Sequence, residues 1–194
     1  MKRTPFLVAA AAAALAGCLS TSVPPVATWT VEYASDASEA PSAKQAEGAP
    51  RGSVRIAQVS VRDPYDAREI AVMRRDGSLA FDHYNQFAAR PSALAKGALQ
   101  DALQAPGAFQ TAVPSASRLD AELAVEASVT RIALDCRDED SRIARVELSL
   151  TLLKGRSLYA AANGAGTADA ADGNYSRAFS LAFTRAVADA LGRL

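Results

Sequence analysis

The chain has 194 residues, with 21 Lys+Arg against 21 Asp+Glu, one histidine, two cysteines and 49% hydrophobic content. That balance gives no sign of the basic stripe a nucleic-acid partner needs, and a lone histidine excludes a multi-histidine metal site. No G-x-S-x-G, P-loop, H-E-x-x-H or C-x-x-C pattern occurs, so an enzyme has no motif to rest on.

Lys2 and Arg3 form a short cationic segment ahead of the ten-residue apolar run Phe6 to Leu15. Such a run has the length of a signal-peptide core and is too short to cross ~30 Å of hydrocarbon as a helix. It ends in Leu15-Ala16-Gly17-Cys18, which resembles the lipobox of bacterial lipoproteins. The small residues Ala16 and Gly17 let an extended backbone lie in a peptidase groove. Residues 1–17 are therefore expected to be a cleaved signal peptide, with Leu15, Ala16 and Gly17 recognised by the peptidase. The Cys18 thiol would take a diacylglyceryl group, and about three acyl chains make such an anchor effectively permanent. The competing reading is an ordinary secretory signal cut near Ala14 or Ala16. Leu19, in place of an Asp that would signal inner-membrane retention, favours the periplasmic face of the outer membrane. Loss of Lys2 and Arg3 leaves a net charge of −2. No cofactor is expected beyond the covalent lipid on Cys18. With Cys18 acylated, Cys136 is the one remaining thiol, and its place after Ile132-Ala133-Leu134 reads as an inert, partly buried strand residue.

Residues 18–28 read as a lipidated tether, and the domain is expected to run from 29 to 194. Trp29-Thr30-Val31-Glu32-Tyr33 alternates as a strand does. Residues 35–51, rich in Ala, Ser, Glu, Pro and Gly, read as a flexible loop. Val54 to Val61 is a β-branched strand, Pro64-Tyr65-Asp66 a turn and Ile70 to Arg74 a second strand. Asp76-Gly77 then makes a hairpin into Leu79-Ala80-Phe81. His83, in Phe81-Asp82-His83-Tyr84, reads as a packing or surface residue at a strand end. The spacing predicts a helix from Pro91 to Gln104 with Leu94, Ala95, Ala98, Leu99, Ala102 and Leu103 on one face. Pro106-Gly107 stops it ahead of a strand from Phe109 to Val113.

Leu119, Ala121, Leu123, Val125, Ala127 and Val129 alternate, and Ile132, Leu134 and Cys136 continue in the opposite phase. That change of phase predicts a bulge near Thr130-Arg131. Arg137 to Asp140 is a charged turn; Val146, Leu148, Leu150 and Leu152 alternate again. Lys154-Gly155-Arg156 turns the chain into Leu158 to Thr167, whose small residues predict an edge strand or the close approach of another backbone. A final helix, capped within Asp169 to Asn174, carries Phe179, Ala182, Phe183, Ala186, Val187, Ala190, Leu191 and Leu194 on one face. Arg177, Arg185 and Arg193 are too few for a polybasic membrane face, so the apolar face should pack on the sheet. Many strands and only two helices predict an α+β domain: an antiparallel or mixed β-sheet with two amphipathic helices packed on one face.

Four pieces occur in order: Trp29 to Tyr33 after the lipobox; Pro64-Tyr65-Asp66-x-Arg68-x-Ile70 leading to Arg74 and Phe81-Asp82-His83-Tyr84; a Pro-started helix running into Gly107-x-Phe109-x-x-Val113; and an Ala-rich C-terminal helix ending in Ala190-Leu191. In that order they resemble the ABC-type transport auxiliary lipoproteins, the PqiC-like accessory proteins. Phe87 stands where many relatives carry a Trp shortly before the helix proline. The resemblance implies a non-catalytic docking subunit at the outer membrane. Its partners would be an MCE-domain protein and the ABC ATPase and permease of a lipid-transport system. Tyr65, Arg68, Tyr84 and Phe87 are aromatic and Arg residues near turns or strand ends, the types enriched at binding hot spots, and are the candidate partner contacts; each also suits a core role. The alternative is a ligand-binding or assembly-chaperone lipoprotein of the envelope with no link to a transporter. A homo-oligomer is compatible with either.

Overall fold

The structure is a computed structural model; it describes residues 24–34, 51–105, 109–114 and 116–194. The expected signal peptide, Cys18 and nearly all of the 35–51 loop lie outside the described residues. Eight strands form one mixed sheet: β1 Ala27–Trp29, β2 Arg51–Val61, β3 Glu69–Met73, β4 Leu79–Phe87, β5 Phe109–Val113, β6 Leu123–Asp135, β7 Ile143–Lys154 and β8 Ser157–Asp169. Two helices complete the domain, α1 Pro91–Gln104 and α2 Tyr175–Arg193. The expected α+β class, with a mixed sheet and two helices, is what the chain adopts.

The sheet forks, and β6 is the reason. Its 13 residues pair along one side with β7, antiparallel. Its other side is shared: β2 pairs in parallel with the first half and β3 with Leu134 and Asp135. From β2 the sheet continues to β5, and from β3 through β4 to β1. The register of β6 slips between Val129 and Arg131, where the sequence changes phase. The bulge resets the pleat, so that Val125, Ala127, Val129, Ile132 and Leu134 all reach the same core. It falls where β2 ends and the partner strand changes.

On β7, Ala144, Val146, Leu148, Leu150 and Leu152 are buried while Arg145, Glu147, Ser149 and Thr151 keep partial exposure. Strict alternation of this kind marks a strand with one face on the core. Both helices cover that face, α2 over β7 and β8, α1 over β2 and β5, and they touch each other. Phe87 and Phe179 pack edge to face, with ring centroids 5.2 Å apart, between the β4 branch and α2.

The small residues of β8 serve both purposes expected of them. Among the described residues β8 pairs only with β7, so it is an edge of the sheet. A Cβ on Gly164 would overlap the Ala186 carbonyl oxygen and lie 2.7 Å from the Ala190 nitrogen. One on Gly166 would overlap the Ala182 carbonyl and lie 2.6 Å from the Ala186 nitrogen. Glycine at both positions lets the backbone of α2 rest on the strand. Side chains of α2 also cover part of the open edge: Ala165 N–H donates to Asp189 Oδ2 at 3.1 Å, and Arg185 Nη1 donates to the Thr167 carbonyl at 2.6 Å. Covering an edge in this way blocks strand addition there.

Two expectations need correction. Leu119 and Ala121 alternate with the residues after them, yet β6 begins at Leu123 and Leu119 is 70% exposed. Trp29 to Tyr33 is not a continuous strand either, because β1 ends at Trp29. From Thr30 the chain leaves the sheet and runs along α2. There Ser176 Oγ donates to the Thr30 carbonyl, Glu32 N–H donates to Ser180 Oγ at 3.0 Å, and Ala34 N–H donates to Thr184 Oγ1 at 2.9 Å. Two residues of extended chain advance about 6.6 Å and four residues of helix about 6 Å, so the two ladders stay in step. The alternation in the sequence is real, with Val31 buried, but the backbone groups are satisfied by helix hydroxyls rather than by a neighbouring strand.

Candidate functional site

The Pro64-Tyr65-Asp66-x-Arg68 stretch lies in the fork between the β2 and β3 branches. Arg62 N–H donates to the Val129 carbonyl at 2.9 Å and Tyr65 N–H to the Arg62 carbonyl at 2.8 Å, which fixes the turn beside the β6 bulge. α1 starts at Pro91 after Arg90, and Arg90 makes no side-chain cap. Asp66 supplies that cap instead, accepting Ser92 N–H at 2.9 Å and the Ser92 hydroxyl at 3.1 Å. A carboxylate there satisfies an orphan N–H and meets the positive end of the helix dipole. Arg68 is equally occupied: its Nε–H donates to the Phe87 carbonyl at 3.0 Å, while Phe87 N–H donates to the Arg68 carbonyl at 2.6 Å. Around these groups is a shallow groove of about 540 Å³ lined by Asp63, Asp66, Arg68, Glu69, Gln86 and Arg90.

The four candidate contact residues therefore separate. Phe87, 1% exposed, is core, and the aromatic at this position packs on Phe179 rather than facing a partner. Tyr65 is partly buried against the core, and Arg68 is engaged with the Phe87 backbone. Tyr84 alone stands out, 50% exposed.

Its exposure has a local cause. β4 pairs with β3 at Ile70–Asp82 and next at Glu69–Gln86, so His83, Tyr84 and Asn85 bulge out of the ladder. Asp82 closes the bulge: its Oδ1 accepts Tyr84 N–H at 2.9 Å and Asn85 N–H at 3.1 Å, and its Oδ2 accepts Asn85 Nδ2 at 2.9 Å. Trp29 Nε1–H donates to Asn85 Oδ1 at 3.0 Å and its ring meets Tyr175 edge to face at 5.4 Å. His83 thus sits within β4, on the bulge and exposed, not at a strand end. No motif rule covers a bulge of three residues, and the broken alternation of Asp82 to Gln86 was its only trace in the sequence.

Asp135, at the end of β6, accepts Arg137 Nη2–H at 2.6 Å and Arg145 Nη2–H at 3.3 Å. The hydrogen bond from Arg137 holds its carboxyl at about 2, against the opposing effect of burial, with the charges of Arg137 and Arg145 helping. Glu139 of the charged turn pairs with Arg75. The Cys136 thiol is free and partly buried, and burial pushes its pKa up, the opposite of what a reactive thiol needs. Among the described residues no cluster of three or more His, Cys, Asp or Glu could hold a metal, and no helix is long and apolar enough to cross a membrane.

The fold has a solved counterpart. A protein from Xanthomonas campestris of the DUF330 family superposes with a TM-score of 0.63 at 18% identity, covering 84% of this chain and 90% of that one. The PelC dodecamer from Paraburkholderia phytofirmans is more distant, with a TM-score of 0.43 at 10% identity, covering 73% of this chain and 89% of that one. No curated protein matches the chain. The model of the ABC-type transport auxiliary lipoprotein component family matches residues 35–193, which takes in the fork, the bulge, both helices and every strand but β1. On that match the chain belongs to the ABC-type transport auxiliary lipoprotein family.

Proposed function

We propose that this protein is the outer-membrane-anchored, non-catalytic docking subunit of an MCE-type ABC system that moves lipid between membranes. The observation that carries the reading is the family match over residues 35–193, downstream of Leu15-Ala16-Gly17-Cys18. Cleavage after Gly17 leaves a lipidated Cys18, and Leu19 behind it favours release to the outer membrane. The domain then hangs in the periplasm, where an MCE-domain protein reaching out from the inner membrane can meet it.

The internal chemistry supports a docking role over a catalytic one. Charged groups of the domain are spent on holding the fold: Asp66 on α1, Arg68 on β4, Asp135 between two arginines. Burial pushes the pKa of the one cysteine of the domain up, away from the reactive range. A subunit that transmits position needs this rigidity, an anchor and a contact surface.

The reading is tested by extracting envelopes in mild detergent and isolating the lipidated chain through a C-terminal tag. Co-isolation of an MCE-domain protein with its ATPase and permease is the expected outcome. Isolation alone, or with an outer-membrane assembly machinery in place of any transporter component, would overturn it in favour of an assembly-chaperone role.

A further inference from the structure

Val26 and Tyr84 are two of the five large hydrophobic residues that stand exposed among the described ones, at 52% and 50%. They are neighbours. β1 pairs in parallel with β4 beginning at Ala27–Asn85, and Val26 and Tyr84 are the residues just before that pair. Pro24 and Pro25, also exposed, extend the surface.

The strand side of the patch carries no charge. Pro24 to Thr30 contains no ionisable residue. The carboxylate of the bulge, Asp82, is turned onto Tyr84 N–H, Asn85 N–H and Asn85 Nδ2. Bulges commonly re-aim a side chain out of a sheet, and this one is braced from behind by Trp29 through Asn85.

What covers the patch follows from where the chain goes. Seven residues separate Val26 from Cys18, a reach of at most roughly 29 Å when fully extended. The other exposed apolar pair of neighbours, Leu158 and Tyr159 at 66% and 54%, lies at the opposite end of the domain. Trp29 contacts Tyr175 at the start of α2, whereas β8 meets the later turns of α2 through Gly164 and Ala190. The 19 residues of α2 span about 28 Å, and the β7–β8 turn lies beyond them.

We propose that the surface formed by Pro24, Pro25, Val26 and the Tyr84 bulge seats on the lipid headgroup region of the membrane that holds the Cys18 anchor. It orients the domain with the β7–β8 hairpin pointing away from the bilayer. The proposal rests on the anchoring read from the lipobox. A half-exposed tyrosine and valine bind lipid weakly on their own, but a short tether keeps them at millimolar effective concentration, and tyrosine is favoured at the headgroup level.

The test uses the full lipidated chain with Trp29 kept, since it braces the bulge, and one new reporter, either Tyr84→Trp or Tyr159→Trp; the unsubstituted chain measures the Trp29 signal, which is subtracted. Each protein is reconstituted in phosphatidylethanolamine–phosphatidylglycerol vesicles containing phosphatidylcholine brominated at acyl carbons 6 and 7. Intact mass first establishes acylated Cys18, and circular dichroism establishes folding; Val26→Trp replaces Tyr84→Trp as the reporter if the latter fails to fold. The seat predicts about a twofold loss of fluorescence for the reporter at 84, none at 159, and weak iodide quenching at 84 alone. Equal iodide quenching at both positions without bromolipid quenching would overturn the seat while leaving the anchor intact, as would bromolipid quenching at 159 only. A Cys18 without acyl mass would overturn the anchoring reading and the seat together.

Discussion

Asp66 accepts the backbone N–H of Ser92 at 2.9 Å, capping a helix that begins 25 residues later in the chain than the capping side chain. Asp66 sits in the turn that fills the sheet fork, so this one bond ties the fork to α1. Asp66→Ala should destabilise the domain by about 1–2 kcal/mol, the usual cost of a lost cap, seen as a lower urea midpoint with unchanged slope. Asp66→Asn keeps an acceptor and should recover more than half of the loss. An unchanged midpoint in the alanine variant would show that solvent serves the helix end as well.

The α2–β8 contact leaves no room for a side chain. Gly164→Ala and Gly166→Ala each put a methyl group onto the helix backbone and should cost about 3 kcal/mol, at the upper end of overpacking penalties. Gly97→Ala is the control, since Gly97 lies in α1 with open space around it. That change should stabilise by about 0.5–1 kcal/mol. Calorimetry on the three variants separates the two kinds of glycine.

Asp135 makes the stability depend on pH below the physiological range. Its carboxyl sits at about 2 in the folded chain against an ordinary 3.8, chiefly through the Arg137 hydrogen bond. As pH falls, the unfolded chain therefore takes up this proton first. The stabilisation is complete above roughly pH 4 and is lost as pH falls toward 2. Asp135→Asn should be less stable than the parent at pH 7, and the difference should shrink between pH 4 and pH 2. A difference that stays constant down to pH 2 would contradict the assignment.

The hydroxyls of Ser180 and Thr184 hold the Thr30–Ala34 segment to α2. Ser180→Ala with Thr184→Val should raise hydrogen exchange at the Glu32 and Ala34 amides roughly five- to tenfold, the effect of one modest hydrogen bond each. Exchange at the Val146 to Leu152 amides of β7 should not change. Equal acceleration in both places would mean global destabilisation instead.

How much of this could be read from the residues depended on the range of the forces involved. Periodicity is local, so α1, the β7 alternation, the β6 bulge and the α2 packing face were all legible. Phase even located the bulge to within a residue, because Val129 and Ile132 must face the same core. The clustered glycines of β8 announced a close approach without naming α2 as its source. What stayed hidden was non-local. Nothing near Arg90 reveals that its helix is capped from Asp66, and the Trp29 to Tyr33 alternation cannot distinguish a strand partner from a row of helix hydroxyls. Tyr84, Tyr65, Arg68 and Phe87 looked alike as hot-spot types, and only burial separated the one that faces solvent.

The central claim is that this domain is a tethered docking subunit of an ABC lipid-transport system. The most direct measurement is in-cell photocrosslinking of the full-length chain with a photoreactive amino acid in place of Tyr159, on the hairpin held away from the bilayer. Capture of an MCE-domain protein, in outer-membrane fractions and only when Cys18 is present, is the result the account predicts. Capture of no transporter component, or an unchanged yield from a Cys18→Ala chain free in the periplasm, would contradict it.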